Sequence, residues 1–201
     1  MRELTFIVQG PIVKNTKHCL ASIRDNFPNS MIILSTWEKS DVADLDYDTA
    51  IFNHDPGAIE ISPDKFNNVN RLIVSTQSGL QKVSTPFAVK TRTDISFANN
   101  NIISHIYNLK NASLFAKQII APTLFFRDPR KKPLLFHISD IFHAGNTSDM
   151  RDLWKIPLAP EPETSQWLND KSYRFNYWPS LKYRYTPEQY WITSTFWRLR
   201  I

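Results

Sequence analysis

Lys90, Arg92 and Asp94 close a short apolar run in F-A-V-K-T-R-T-D-I, residues 87–95. Three formal charges at the end of a buried strand are costly unless they are paired, hydrated or used. A carboxylate beside two cations suits phosphate groups and the divalent ion that travels with them. Mg2+ and Mn2+ take hard oxygen ligands, commonly one or two carboxylates completed by substrate phosphates. On this reading Asp94 is the metal candidate, and Lys90 and Arg92 supply phosphate charge. The competing reading is a salt bridge from Asp94 to Lys90 or Arg92.

Other polar stops repeat the arrangement. Gln9-Gly10-Pro11, Glu38 and Asp55-Pro56-Gly57 each follow an apolar run. Gly-Pro and Pro-Gly are also plain turn chemistry, and the two carboxylates also fit exposed loops. Asn67, Asn68, Asn70 and Arg71 open a predicted helix, whose free backbone amides would bind an anion. Arg71 there would clamp a pyrophosphate or a sugar hydroxyl. The alternative is an asparagine N-cap with Arg71 in solvent. Glu188, in T-P-E-Q, reads as a general base at a helix start or as a mere complement to the helix dipole. Asp140 lies in H-I-S-D-I-F-H, where strand alternation sends it to the opposite face from His137 and His143. That argues against a zinc cluster and for a carboxylate aimed into a crevice. Gly145 reads as a turn that lets an acceptor approach the backbone.

The elements that must position these residues alternate. Leu4–Val8 reads as a first strand, followed by a helix carrying Leu20, Ile23 and Phe27 and stopped by Pro28. Met31–Thr36 and Ala50–Phe52 read as strands. Val69, Ile73, Thr76, Leu80 and Val83 recur at helical spacing within a helix over Asn68–Val83. Phe87–Thr91 is the fourth strand. This alternation predicts α/β architecture with a largely parallel sheet, which puts every strand stop on one edge. Farther on, Leu114–Pro122 and Leu134–Phe142 read as strands and Thr147–Trp154 as a short helix. Thr186 begins a last helix. The expected organisation is one domain, with a nucleotide-binding half over 1–112 and a less regular half over 113–201.

Bulk properties narrow the setting. The chain has 201 residues, a formal net charge of +5, 42% hydrophobic and 21% charged residues, which excludes a disordered polymer. The charge favours anionic partners but is modest and comes with no nucleic-acid-binding motif, so nucleic acid is not expected. Its densest cluster is Arg127, Arg130, Lys131 and Lys132, which also reads as a solvated loop. Aromatic residues, at 13%, build cores and also stacking surfaces for sugars and bases. Cys19 is the lone cysteine and reads as a small core residue, so no internal disulfide is expected. With no signal peptide and no stretch of about 18 apolar residues, the expected location is the cytoplasm.

The ordered motifs resemble a known family. V-Q-G-P-I at 8–12, I-I-L-S-T-W-E at 32–38, D-P-G at 55–57, N-N-V-N-R at 67–71, S-T-x-S-G-L at 75–80 and K-T-R-T-D at 90–94 occur in sequence. H-I-S-D-I-F-H-A-G at 137–145 and P-E-Q-Y at 187–190 follow. Together they resemble the WavE lipopolysaccharide-synthesis family over nearly the whole chain. The resemblance implies a Rossmann-like, A-type glycosyltransferase fold acting on a nucleotide-sugar donor and a lipopolysaccharide or surface-polysaccharide precursor. It implies that Gln9, Gly10, Pro11 and Glu38 flank the nucleotide, with Asp55 beside its ribose or base. Arg71 would reach the pyrophosphate or sugar. Asp94 would stand at the second carboxylate of an Asp-x-Asp metal motif, and Glu188 on the base-bearing helix. The chain departs from that motif by carrying Arg92 at the first position. It also stops at Arg198-Leu199-Arg200-Ile201, which reads as a shortened member. The alternative function is a degenerate, non-catalytic nucleotide- or glycan-binding module. If later segments are missing, part of the aromatic surface of Tyr190, Trp191, Phe196 and Trp197 is expected to be uncovered; the competing reading, preferred for Trp191 and Phe196, packs these rings on the sheet. Trp197 with Arg198 and Arg200 is the candidate for peripheral contact with the inner face of the cytoplasmic membrane.

Overall fold

Leu4–Gln9 (β1) and Met31–Trp37 (β2) are buried along nearly their whole length, because both of their faces are covered by helices. The computed structural model describes residues 3–62, 65–108, 118–124, 128, 137–159 and 187–199. The further elements are α1 (Thr16–Asn26), β3 (Thr49–Asn53), β4 (Ile59–Ser62), β5 (Lys65–Asn67) and α2 (Val69–Lys82). Then come β6 (Phe87–Arg92), α3 (Ile102–Asn108), β7 (Ile119–Ile120), β8 (Phe142–Asn146), α4 (Thr147–Trp154) and α5 (Pro187–Leu199).

Among the described residues, the main sheet has six strands in the order β3-β2-β1-β6-β8-β7. The first four are mutually parallel, with Gln9 opposite both Ser35 and Arg92. β8 then pairs antiparallel with β6, and β7 antiparallel with β8. β4 and β5 form a separate antiparallel hairpin. The fold is mixed α/β and Rossmann-like, as expected, with the antiparallel strands confined to one side.

Strand alternation divides the core into two layers. Ile7, Ile33 and Ala88 face Ile73 and Leu80 of α2, with Trp154 of α4 and Trp191 of α5 in the same layer. Phe6, Val8, Ile32, Leu34 and Val89 face Cys19, Leu20 and Ile23 of α1, with Ile106 of α3. Gly79 lets α2 approach β1: a Cβ there would lie 2.2 Å from Ile7 Cγ2.

The second half departs from the sequence expectation. Of the strand expected over Leu134–Phe142, residues 134–136 lie outside the described residues, 137–141 form no strand, and only Phe142 is extended, as the first residue of β8. The alternation argument for Asp140 therefore does not apply. Antiparallel register on β6 decides the position, pairing Phe142 with Thr91 and Asn146 with Phe87. Gly145 is a strand residue, not a turn; a Cβ there would meet the Gln118 carbonyl at 2.8 Å. Of the strand expected over Leu114–Pro122, only Ile119–Ile120 is extended, and residues 114–117 lie outside the described residues. The β4–β5 hairpin and α3 were not expected. Thr186, Arg200 and the basic cluster Arg127, Arg130, Lys131 and Lys132 fall outside the described residues.

Candidate functional site

β1 ends at Gln9, and Gly10 then turns the chain with φ +122°, a conformation that favours glycine. Gly10 N donates to the Ser35 carbonyl at 3.0 Å, and Thr93 N to the Gln9 carbonyl at 3.1 Å. Thr93 Oγ1 donates to the Pro11 carbonyl at 2.7 Å. The turns after β1 and β6 are thus fastened together. Beside them, Ser75 Oγ of α2 donates to Gln9 Oε1 at 2.6 Å. These turns form the floor of a crevice of about 570 Å³ at the carboxyl edge of the parallel strands. Ligand sites of α/β sheets lie at this edge.

Two arginine–carboxylate pairs face it. Arg71 Nε and Nη2 donate to Asp55 at 2.8 and 2.6 Å. Arg92 Nε and Nη2 donate to Asp94 at 2.9 and 2.6 Å. Both are bidentate, the strong geometry for guanidinium and carboxylate. The hydrogen bond from Arg71 holds the Asp55 carboxyl below its ordinary range, and that from Arg92 does the same for Asp94. Each carboxylate in turn raises its arginine. Arg71 is not free in solvent; Asn68 Oδ1 also accepts from its Nη1 at 3.0 Å.

Asp140 and Glu188 line the same crevice, one from the segment before β8 and one from the first turn of α5. Behind Glu188, His137 Nε2 stands 3.6 Å from Glu188 Oε2, an electrostatic contact longer than a hydrogen bond. His137 is nearly buried, and its Nδ1 has no hydrogen-bond partner among the described residues.

The structure separates two expected residues from the crevice. Lys90 lies two residues short of the edge, on the same strand face as Arg92, and is fully buried. Its Nζ donates to the Asp140 backbone carbonyl and sits 5.2 Å from the Trp154 ring centroid. Burial pulls its pKa down from 10.5 to about 8. Lys90 therefore contacts the back of the crevice wall, not the crevice itself. Glu38 is turned away by the Lys39 turn, where φ is +65°, and stands 3.4 Å from His54 Nδ1. Trp37, one residue earlier, lines the crevice in its place.

Beneath the crevice, His143 packs 4.7 Å from the Trp191 ring and 5.6 Å from Trp154, and the two tryptophans stack at 5.3 Å. Neither His143 nitrogen meets hydrogen-bond geometry, although the Ser139 backbone pulls weakly toward protonation; burial prevails and lowers its pKa well below the ordinary value. Sequence reasoning missed two aromatic residues of the lining. Trp37 and Phe66 line the crevice, and Phe66 lies on the unforeseen hairpin. A lone aromatic ahead of a helix carries no periodic signal.

The donor set bears on the metal. Among the described residues, no three histidine, cysteine or acidic side chains converge on one point. Both Asp94 oxygens are engaged by Arg92. The lining nonetheless carries four carboxylates against two guanidinium groups, an excess of negative charge. This suits a cation that arrives with an anionic substrate and takes one protein ligand; it does not suit a resident metal held by protein alone.

Elsewhere, Cys19 is a core residue whose thiol burial pushes up to about 12. Trp191 is buried, Tyr190 Oη donates to the Leu158 carbonyl at 3.1 Å, and Arg198 Nη2 donates to the Asp152 carbonyl. The side chains of Phe196 and Trp197 lie outside the described residues. Among the described residues, no helix is long and apolar enough to cross a membrane.

Two solved structures show distant similarity. One is 4-diphosphocytidyl-2C-methyl-D-erythritol synthase from Anaerococcus prevotii, at 9% identity and TM-score 0.43, with 80% of each chain covered. The other is a cytidylyltransferase from Leptospira borgpetersenii, at 11% identity and TM-score 0.43, covering 81% of this chain and 68% of the other. No curated protein is similar enough to count as a match. A family match, by contrast, runs through both arginine pairs, the Asp140 segment and the helix of Glu188: over residues 4–200 the chain belongs to the WavE lipopolysaccharide synthesis family.

Proposed function

We propose that the protein is a glycosyltransferase that moves a sugar from a nucleotide-sugar donor to a lipopolysaccharide or surface-polysaccharide precursor. The observation that carries this reading is the sharing of one crevice by Arg71, Arg92 and four carboxylates at the carboxyl edge of the sheet. Membership of a lipopolysaccharide-synthesis family supports a sugar as the group to be moved.

The roles follow from the chemistry. Arg71 and Arg92 receive the diphosphate, exchanging their carboxylates for phosphate oxygens of the same bidentate geometry. Asp94, once released, would be the protein ligand for a divalent ion, which would supply positive charge to the diphosphate. Gln9, Gly10, Pro11 and Asp55 flank the nucleotide. Glu188 accepts the proton of the acceptor hydroxyl. The acceptor's oxygen then bonds the anomeric carbon, and the bond from that carbon to phosphate breaks with the electron pair leaving on the nucleoside diphosphate. Asp140 is the second carboxylate within the same crevice for that proton.

The test is a donor panel of uridine, guanosine, cytidine and thymidine nucleotide sugars, with Mn2+ and with EDTA. Calorimetric binding of one donor and acceptor-dependent release of its nucleotide are expected, both weakened by EDTA. Binding without release for any acceptor would support a non-catalytic binding module. No binding of any donor with Mn2+ present would overturn the donor reading altogether.

A further inference from the structure

We propose that Phe66 and Trp37 form a stacking platform for the nucleobase of the donor, an inference that rests on the nucleotide-sugar reading above. Phe66 lies on the crevice wall with 58% of its surface exposed. Burying such a side chain contributes about 1.5–3 kcal/mol, so this exposure forgoes stability that a ligand would restore. Trp37 lines the same crevice at the carboxyl end of β2. Among the described residues neither ring pairs with another aromatic ring, whereas Phe6, Phe27, Phe97 and Phe142 interlock at centroid distances of 4.8–6.2 Å. The crevice aromatics are thus available to a planar partner from outside the chain.

The spacing selects a nucleobase. Trp37 ends β2 and Arg92 ends β6, with β1 between them. Gln9 is level with both Ser35 and Arg92, and Trp37 lies two residues past Ser35, so two interstrand steps of roughly 4.8 Å and two residue rises of roughly 3.3 Å place these strand ends about 12 Å apart. That separation suits the ribose and first phosphate that lie between a base and its second phosphate. Arg92 would hold the phosphate end, and the rings an uncharged planar end. The β4–β5 hairpin that carries Phe66 leaves the end of β3 just after Asp55 and returns directly into α2, which carries Arg71. Ring and phosphate contacts therefore share one short segment of chain.

Calorimetry with UDP, CDP, ADP and GDP, each against inorganic pyrophosphate in Mn2+, tests the platform. The parent should bind at least one nucleoside diphosphate more than tenfold tighter than pyrophosphate. Phe66→Ala should weaken that nucleotide about 5- to 150-fold, the range for loss of one base-stacking ring, and leave pyrophosphate unchanged. Phe66→Trp should restore it. The same nucleotide should quench tryptophan fluorescence in the parent and quench it less in Trp37→Phe, while pyrophosphate should not. Equal binding of nucleoside diphosphates and pyrophosphate overturns the platform but leaves the donor reading standing. So does parental nucleotide affinity in Phe66→Ala, including the case where that variant loses affinity for a methyl glycoside instead. Failure of every nucleotide and of pyrophosphate to bind overturns the donor reading and the platform with it.

Discussion

In the crevice, Arg71 and Arg92 each grip a carboxylate with two hydrogen bonds while remaining 35% and 43% exposed. Two residues back along β6, Lys90 has lost all contact with water and holds a backbone carbonyl and a tryptophan face instead. The difference separates charge that can change partners from charge that cannot. An exposed pair contributes about 0–1 kcal/mol, so a ligand can reopen it cheaply. A buried cation has lost its hydration and depends on the few acceptors around it, so it cannot be handed to a ligand. The crevice is therefore suited to exchange, and the layer beneath to holding the crevice wall in place.

This contrast breaks if crevice substitutions prove structural or buried ones prove silent. The largest expected effect is on turnover. Glu188→Gln should retain donor binding while transfer falls about 10²–10⁴-fold, the usual contribution of a general base. Full activity in that variant would return Glu188 to helix capping. Next in size is Trp154→Ala beneath the crevice. Trp154 is fully buried against Trp191 and His143, and such a truncation costs about 3–5 kcal/mol. A urea midpoint close to that of the parent would deny this layer its structural role.

The third prediction concerns pH. The folded pKa of Lys90 lies near 8 against 10.5 for the free group, so folding disfavours its ammonium form. As pH falls, the unfolded chain takes up this proton first, near 10.5, and the folded chain only near 8. Stability from this group therefore falls between those two values, by about 3 kcal/mol at 1.36 kcal/mol per pH unit, and stays level below pH 8. Lys90→Met should lack that fall, so its stability relative to the parent should rise as pH is lowered from 10.5 to 8. Parallel denaturation curves across this window would sink the assignment. The smallest stability effect belongs to Asp94→Asn. It breaks an exposed pair and should shift stability by about 1 kcal/mol or less, yet abolish Mn2+-dependent nucleotide binding. Calorimetry showing parental binding would remove Asp94 from the site.

The first half of the chain was legible because its signals are local. Buried parallel strands read as continuous apolar runs, and α2 announces itself by Val69, Ile73, Thr76 and Leu80 at helical spacing. The helix over Thr147–Trp154 was legible to its ends for the same reason. β8 was misplaced by several residues because its limits come from pairing with β6, and pairing partners leave no mark in local pattern. The β4–β5 hairpin is too short for periodicity to show.

By itself the sequence determined the alternation of strands and helices, and hence the edge at which Gln9, Asp55, Arg92 and Asp94 would gather. Alternating apolar and polar stretches dictate burial, and burial dictates which strand ends point the same way. Tertiary structure alone decided what each charge became. Lys90 and Arg92 look alike in K-T-R, but one pleat of β6 separates water from tryptophan. Glu38 and Trp37 are neighbours in sequence, yet a single turn sends one outward and the other into the crevice. A side chain's charge is written in its formula; its solvation and its partner are set by the chain segments that fold around it.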